Sequence, residues 1–258
     1  MADSKSPAGH GLLAGKTVLV TAAAGTGIGY ATAQRCAEEG ARVALSDRHE
    51  RRVGEAAERL AEVMGAAPLA LRCDVTVESE VQSMIDAVVA EYGALDVIVN
   101  NAGLGGEASI VEMTDEQWTS VLDVTLNGTF RCTRAALRHM TERGSGVVVN
   151  NASVSGWRAQ AGQAHYAAAK AGVMALTRCA AMDVAASGVR VNAVAPSIAM
   201  HEHLSKTASP ELLAELSARE AFGRAAEPWE VATVIAFLAS DYSSYMTGEV
   251  VSVSSQHP

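Results

Sequence analysis

The chain predicts a single α/β domain: one doubly wound, Rossmann-type sheet of about seven parallel strands with helices on both faces. Three observations carry this. Short β-branched apolar runs recur at KTVLVT (16–21), ARVALS (41–46), APLALRC (67–73), LDVIVN (95–100), GVVVNN (146–151), VRVNAV (189–194) and EVVSVS (249–254). These runs are nearly continuous in apolar residues rather than alternating, the pattern of strands covered on both faces. Helical patterns separate them, near 27–39, 49–64, 77–92, 115–141, 164–187, 210–221 and 228–240. Strand–helix alternation repeated in this way makes a parallel sheet with right-handed crossovers.

Length and composition set the outer limits. At 258 residues, with 49% hydrophobic and 19% charged residues, the chain has enough apolar material for one full core. Residues 1–14 are small and polar and read as a loose tail, leaving 15–258 as the domain. The formal charge of −9, with no basic run, argues against nucleic acid as a partner. Lys16 interrupts the first apolar run, so neither a signal peptide nor a membrane span is expected. Cys36, Cys73, Cys132 and Cys179 are far apart and in no metal-binding spacing. They read as buried, reduced thiols of a cytoplasmic protein, and no metal site is expected.

The first strand runs into TAAAGTGIG (21–29), which places Gly25, Thr26, Gly27, Ile28 and Gly29 between a strand and a helix. Glycine there lets a pyrophosphate approach the free N–H groups of the helix start; its plainer reading is a tight turn. Asp47 and Arg48 end the second strand. A carboxylate at this distance from the glycine loop accepts from adenosine ribose hydroxyls and repels a 2′-phosphate, which favours NAD(H). Arg48 partly reverses that and keeps NADP(H) open. Asp74, before Val75, meets an adenine amino group or caps the next helix; Thr76 is another cap candidate. Asn101, Ala102 and Gly103 follow the fourth strand, where they either admit a cofactor or stabilise a turn.

Tyr166 and Lys170 stand four apart on one helix face. A phenol titrates near 10, and an adjacent ammonium favours its phenolate. Taken alone, the pair reads as an exposed helix contact. Ser153 lies just past the fifth strand, at the sheet's carboxyl end, where a hydroxyl can hold a substrate oxygen beside the phenol.

The glycine loop, Asp74, NNAG (100–103), Ser153, YAAAK (166–170) and VNAVAP (191–196) occur in the order and spacing of the short-chain dehydrogenase/reductase family, which the chain resembles from about residue 12 to 254. The resemblance implies NAD(P)(H), alcohol–ketone interconversion and a homotetramer or homodimer. It implies that Tyr166 is the acid/base, that Ser153 orients the oxygen, and that Lys170 lowers the tyrosine pKa and holds the nicotinamide ribose, with Val75 and Ile198 among the cofactor contacts. NNAGLGG, SGWRAQ and SSQHP are similar to an actinobacterial subgroup labelled ketoacyl or acetoacetyl thioester reductase, some members of which act in steroid-ring degradation.

Four departures stand out. The loop lacks its first glycine and has one extra residue. Thr125 replaces an asparagine that supports the lysine through water. Pro196-Ser197 and His201 replace Pro-Gly and a threonine, and the chain ends in SSQHP. Gly105, Trp157, Arg158, His165, His201 and the segment 197–222 are candidates for the substrate wall. Trp157 suits a bulky apolar ketone or alcohol, and Arg158 a carboxylate or the phosphates of a CoA ester. The competing reading is a silent NAD-binding sensor or scaffold, favoured by the altered loop and the missing asparagine and opposed by Ser153, Tyr166 and Lys170.

Overall fold

A computed structural model describes residues 6–158, 160–200 and 210–255. Its sheet has seven strands: β1 (Thr17–Thr21), β2 (Arg42–Asp47), β3 (Leu69–Arg72), β4 (Val97–Asn100), β5 (Gly146–Asn151), β6 (Val189–Pro196) and β7 (Val250–Val253). They run parallel in the order β3-β2-β1-β4-β5-β6-β7. The order reverses between β1 and β4, so a crevice opens beyond their carboxyl ends.

The helices explain why the strands are apolar throughout. On β1, Val18 and Val20 join a core under α1 (Ile28–Glu38), α2 (Glu50–Met64) and α8 (Pro228–Ala239). Leu19, between them, points to the opposite core, under α3 (Glu78–Tyr92), α5 (Gly128–Arg143) and α6 (Ala164–Val184). Alternate residues therefore meet apolar partners on both sides, and no position on β1 reaches solvent.

Asparagines are buried where the central strands end. Asn100 and Asn150 stand in register on β4 and β5. Asn100 Nδ2 donates to Asn150 Oδ1 (2.9 Å) and Thr133 Oγ1 (3.0 Å), and Asn150 Nδ2 donates to Thr177 Oγ1 (2.9 Å). Side-chain hydrogen bonds thus tie both strands to α5 and α6 without leaving these amide donors unpaired.

Three elements differ from the sequence reading. The helix expected over 115–141 is broken: α4 (Asp115–Leu122) passes through a π turn at Asp123–Asn127 before α5 begins. Thr125 Oγ1 accepts from Leu104 N (2.9 Å) and donates to Leu104 O (3.1 Å), while Thr129 Oγ1 donates to Thr125 O (2.8 Å). The Thr129 bond competes for a carbonyl of the helical ladder at the bulge, and the Thr125 pair ties the bulge to Leu104. The tail read as loose to residue 14 is fastened from Pro7 onward. The buried Glu39 carboxylate accepts from His10 N (2.8 Å) and Leu12 N (3.0 Å) and pairs with Arg35, which also donates to Pro7 O. Burial raises the Glu39 pKa, but those amides and Arg35 outweigh it and hold the carboxyl below its ordinary range. Finally, Cys179 is exposed, whereas the other three cysteines are buried. It lies two residues, about 200°, from the buried Thr177 and Ala181 on α6. Burial pushes the Cys36 and Cys73 thiols up to about 12, which keeps them protonated and unreactive.

α7 (Pro210–Ala218) lies within the expected segment 197–222; residues 201–209, and His201 and His203 with them, lie outside the described residues. Among the described residues, no helix is long and apolar enough to cross a membrane.

Candidate active site

The crevice beyond β1 and β4 is a cleft of about 1170 Å³. One end is formed by the glycine loop, Asp47, Arg48 and Asp74, and the other by Asn151, Tyr166 and Lys170. That volume exceeds the 300–1,000 Å³ range of ordinary small-ligand clefts, so it has room for more than a small molecule.

The glycine loop is shaped by close approach. A Cβ on Gly29 would lie 2.4 Å from Ala22 O and 2.5 Å from Asn101 Nδ2. Only glycine lets α1 pack this tightly on the loop. Ala22 stands where the family has its first glycine, and its φ of +51° is the only positive value among the described non-glycine residues. Left-handed backbone costs a non-glycine residue roughly 1–2 kcal/mol. Asn101 offsets this: its Nδ2 donates to Thr21 O (3.1 Å) and Ala22 O (3.2 Å), and its backbone N–H donates to Thr21 Oγ1 (2.9 Å). α1 starts at Gly27 with no side-chain cap and no acidic residue in its first turn. Its amides are left for an anion.

Gly29→Ala is therefore expected to destabilise the fold by about 1–3 kcal/mol, as overpacking against backbone does. Dinucleotide affinity should fall at least tenfold, measured by denaturant unfolding and calorimetry. Unchanged affinity would mean that the loop can shift without consequence.

At the glycine-loop end, Asp47 Oδ1 accepts from His49 N (3.0 Å). Asp74 Oδ1 accepts from Thr76 N (2.9 Å) and Thr76 Oγ1 (2.8 Å), and these bonds, the backbone one foremost, hold its carboxyl below the usual range. Neither Asp74 nor Thr76 is the helix cap; α3 is capped by Val77 without a side-chain bond. The cleft also collects arginines that the motifs did not point to. Arg52 and Arg59 line it beside Gly25; Arg59 stacks on Tyr30 at 4.5 Å and donates to Gly25 O (3.3 Å). Among the described residues, neither Arg48 nor Arg52 forms an ion pair. Their position in the first turns after Asp47 was the available signal.

At the far end, a 3-10 turn (Val154–Gly156) follows β5 and packs on α6. A Cβ on Gly156 would lie 2.8 Å from Met174 Cε and 3.0 Å from Ala171 N. This close packing brings Ser153 near enough to Tyr166 to influence its phenol, while the Ser153 hydroxyl itself bonds to Ser155 Oγ (3.3 Å) and accepts from Ser155 N (3.2 Å). Lys170, 4% exposed, donates from Nζ to Asn151 O (2.5 Å) and lies 5.6 Å from the centre of the Tyr166 ring. Burial lowers the Lys170 pKa to about 8. Burial raises the Tyr166 pKa, and the neighbouring Ser153 hydroxyl only partly opposes it. Among the described residues, no hydrogen bond joins Lys170 to the Tyr166 phenol. Its ammonium bonds to a carbonyl instead. Thr125 Oγ1 is bonded to Leu104 as acceptor and donor, and it lies, like Lys170 Nζ, within 4 Å of where a Cβ on Gly103 would stand.

Of the other candidates, Gly25, Thr26, Gly27, Ile28, Gly29, Val75, Asn101, Ala102, Gly103 and Gly105 line the cleft. Ile198, Trp157 and Arg158 do not; Trp157 is 49% exposed. The wall role expected of His165 is corrected: it is 1% exposed beneath Gly106, and its Nδ1 accepts from Tyr166 N (2.9 Å). Gly106 and Gln163 join the lining, held together by a bond from Gln163 Nε2 to Gly106 O (2.8 Å).

The family model described as enoyl-(acyl carrier protein) reductase matches residues 22–255. A short chain dehydrogenase from Mycobacterium smegmatis, known as a crystal structure, superposes with a TM-score of 0.88 at 58% identity, covering 99% of this chain and 98% of that one. The chain belongs to the short-chain dehydrogenase/reductase family. The family uses NAD(P)(H), and the uncapped α1 terminus and glycine cradle fit such a dinucleotide.

This short-chain dehydrogenase/reductase is 63% identical over 98% of its length, and 97% of the relative, to a Mycobacterium tuberculosis protein named (5R,7aS)-5-hydroxy-7a-methyl-1-oxo-2,3,5,6,7,7a-hexahydro-1H-indene-carboxyl-CoA reductase. It is 43% identical to cis-4-hydroxycyclohexanecarboxylate dehydrogenase of Sinomonas cyclohexanicum, over 92% of this chain and 94% of that one. The protein is an oxidoreductase acting between CH–OH and C=O.

Proposed function

We propose that the protein interconverts a ring ketone and its secondary alcohol on an alicyclic substrate carried as a CoA thioester, with Tyr166 as the proton donor and acceptor. The observation that carries this is the placement of Tyr166 beside the buried Lys170, whose Nζ lies 5.6 Å from the ring centre, with Ser153 next to the phenol, at one end of a dinucleotide-sized cleft. The two named relatives above both act on hydroxylated rings bearing a carboxyl group, one of them as its CoA ester.

When bound, the nicotinamide supplies or takes the hydride. Ser153 holds the substrate oxygen against Tyr166. Because burial keeps the phenol protonated, Tyr166 is poised to donate its proton to oxygen as negative charge develops there. Lys170 keeps a positive charge near that oxygen below pH 8 and is positioned for a ribose hydroxyl. Asp47 supports NAD(H). A second reading, NADP(H), is favoured by Arg48 and Arg52, which carry no carboxylate partner among the described residues and line the same end of the cleft.

Oxidation of NADH and NADPH, followed with bicyclic and monocyclic keto-acyl-CoA esters and with straight-chain 3-ketoacyl-CoA, tests both points. The reading expects ring esters to give at least tenfold higher kcat/KM than chains, and NADH to exceed NADPH. Equal turnover of straight chains would remove the ring assignment. An NADPH preference would transfer the adenosine end to the arginines. Tight nucleotide binding without turnover of any ketone would return the protein to a sensor or scaffold.

A further inference from the structure

Two consecutive asparagines at the end of an apolar strand need a reason, and Asn151 has two contacts that point in different directions. Its carbonyl oxygen receives Lys170 Nζ at 2.5 Å. Its side chain donates from Nδ2 to Asn101 Oδ1 at 2.9 Å. Asn101 in turn spends its own Nδ2 on Thr21 O and Ala22 O, both obligate acceptors. That fixes the Asn101 amide with its oxygen toward β5, so only a donor at residue 151 satisfies it. Asn151 Oδ1 is buried without a partner among the described residues, so the donated bond alone orients this amide.

The chain Asn151–Asn101–Ala22 ends on the left-handed residue that replaces the loop's usual glycine, and the Asn101 amide fills the space that Gly29 leaves. We infer that Asn151 is a positioning residue that sets the two ends of the cleft together, holding the dinucleotide loop through Asn101 while its carbonyl sets Lys170. The inference rests on the dinucleotide reading of the cleft. It adds a residue on β5 that controls a loop on the far side of β4.

The test is Asn151→Asp, equal in size but without the donor, with Asn151→Ala as a second variant in case the carboxylate prevents folding. Calorimetry with NADH is expected to show affinity reduced at least tenfold. The kinetic loss should fall on KM for NADH rather than on kcat, because the backbone contact to Lys170 survives. In the nucleotide-free protein, amide hydrogen exchange over residues 22–29 should rise at least tenfold while exchange in α5 and α8 stays unchanged. Asn101→Ala combined with Asn151→Ala should lose no more affinity than Asn101→Ala alone, since Asn151 acts on the loop through Asn101. Unchanged exchange over residues 22–29, or additive losses in the double variant, would overturn the inference. Failure of the unaltered protein to bind NADH or NADPH would instead refute the dinucleotide reading, and the exchange comparison would still decide whether the brace exists.

Discussion

Tyr166→Phe is expected to lower kcat by 10²–10⁴-fold, the range of general acid–base catalysis, while NADH affinity stays within about threefold. The loss corresponds to about 3–5 kcal/mol of barrier. Its physical basis is that, among the described residues, the other hydroxyl beside Ser153 is that of Ser155, an alcohol and so a far weaker acid than a phenol, while His165, which precedes Tyr166, is buried with its Nδ1 engaged by the Tyr166 amide. The change removes one oxygen from a half-buried ring and leaves the cleft wall in place, so binding is separable from turnover. Single-turnover kinetics with saturating NADH would check it. A Phe variant retaining a tenth or more of the activity would show that the proton comes from water or from another side chain.

Lys170→Met should have two opposite consequences. Activity is expected to fall at least 10²-fold, because the charge nearest the reacting oxygen is gone. Stability is expected to rise. The folded-state pKa of Lys170 is lowered from 10.5 to about 8, so the folded protein binds fewer protons than the unfolded chain between those values. Burial of the ammonium thus costs about 3 kcal/mol below pH 8, and this cost disappears as pH rises toward 10.5. Leaving Asn151 O unpaired costs about 1 kcal/mol in return. Urea unfolding should therefore show the Met variant more stable by about 2 kcal/mol at pH 7, with the difference shrinking by pH 9.5. A variant less stable at pH 7 would mean that the Asn151 bond outweighs the buried charge. The same pKa predicts that reduction by the unaltered protein declines above pH 8 as the ammonium is lost.

Much of this was legible in the chain. The central strands declared themselves because strands covered on both faces have no polar period to obscure them; the edge strands β3 and β7 are partly exposed, yet all seven fall within three residues of the apolar runs. Ser153, Tyr166 and Lys170 were recoverable from order and spacing. What could not be read depends on partners distant in sequence. The break in the helix over 115–141 falls where Thr125 bonds to Leu104, twenty-one residues away. The N-terminal segment is ordered by Glu39, and the contribution of Asn151 appears only when Asn101 and Ala22 are brought beside it. His165, expected in the substrate wall, is buried beneath Gly106, because on a helix it faces a different way from the adjacent Tyr166. The Ala22 substitution was visible; its cost, a left-handed backbone held by an amide from another strand, was not.

The matching family model carries the name of an enoyl reductase, whereas the site is read as delivering hydride to a carbonyl carbon with a proton from Tyr166 to oxygen. Reaction with NADH deuterated at the transferable position of its nicotinamide, and a bicyclic keto-acyl-CoA that also contains a ring double bond, distinguishes the two chemistries. Mass spectrometry and proton NMR of the product should find the deuterium on the new carbinol carbon with the double bond intact. Deuterium on a former alkene carbon, with the ketone retained, would contradict the account.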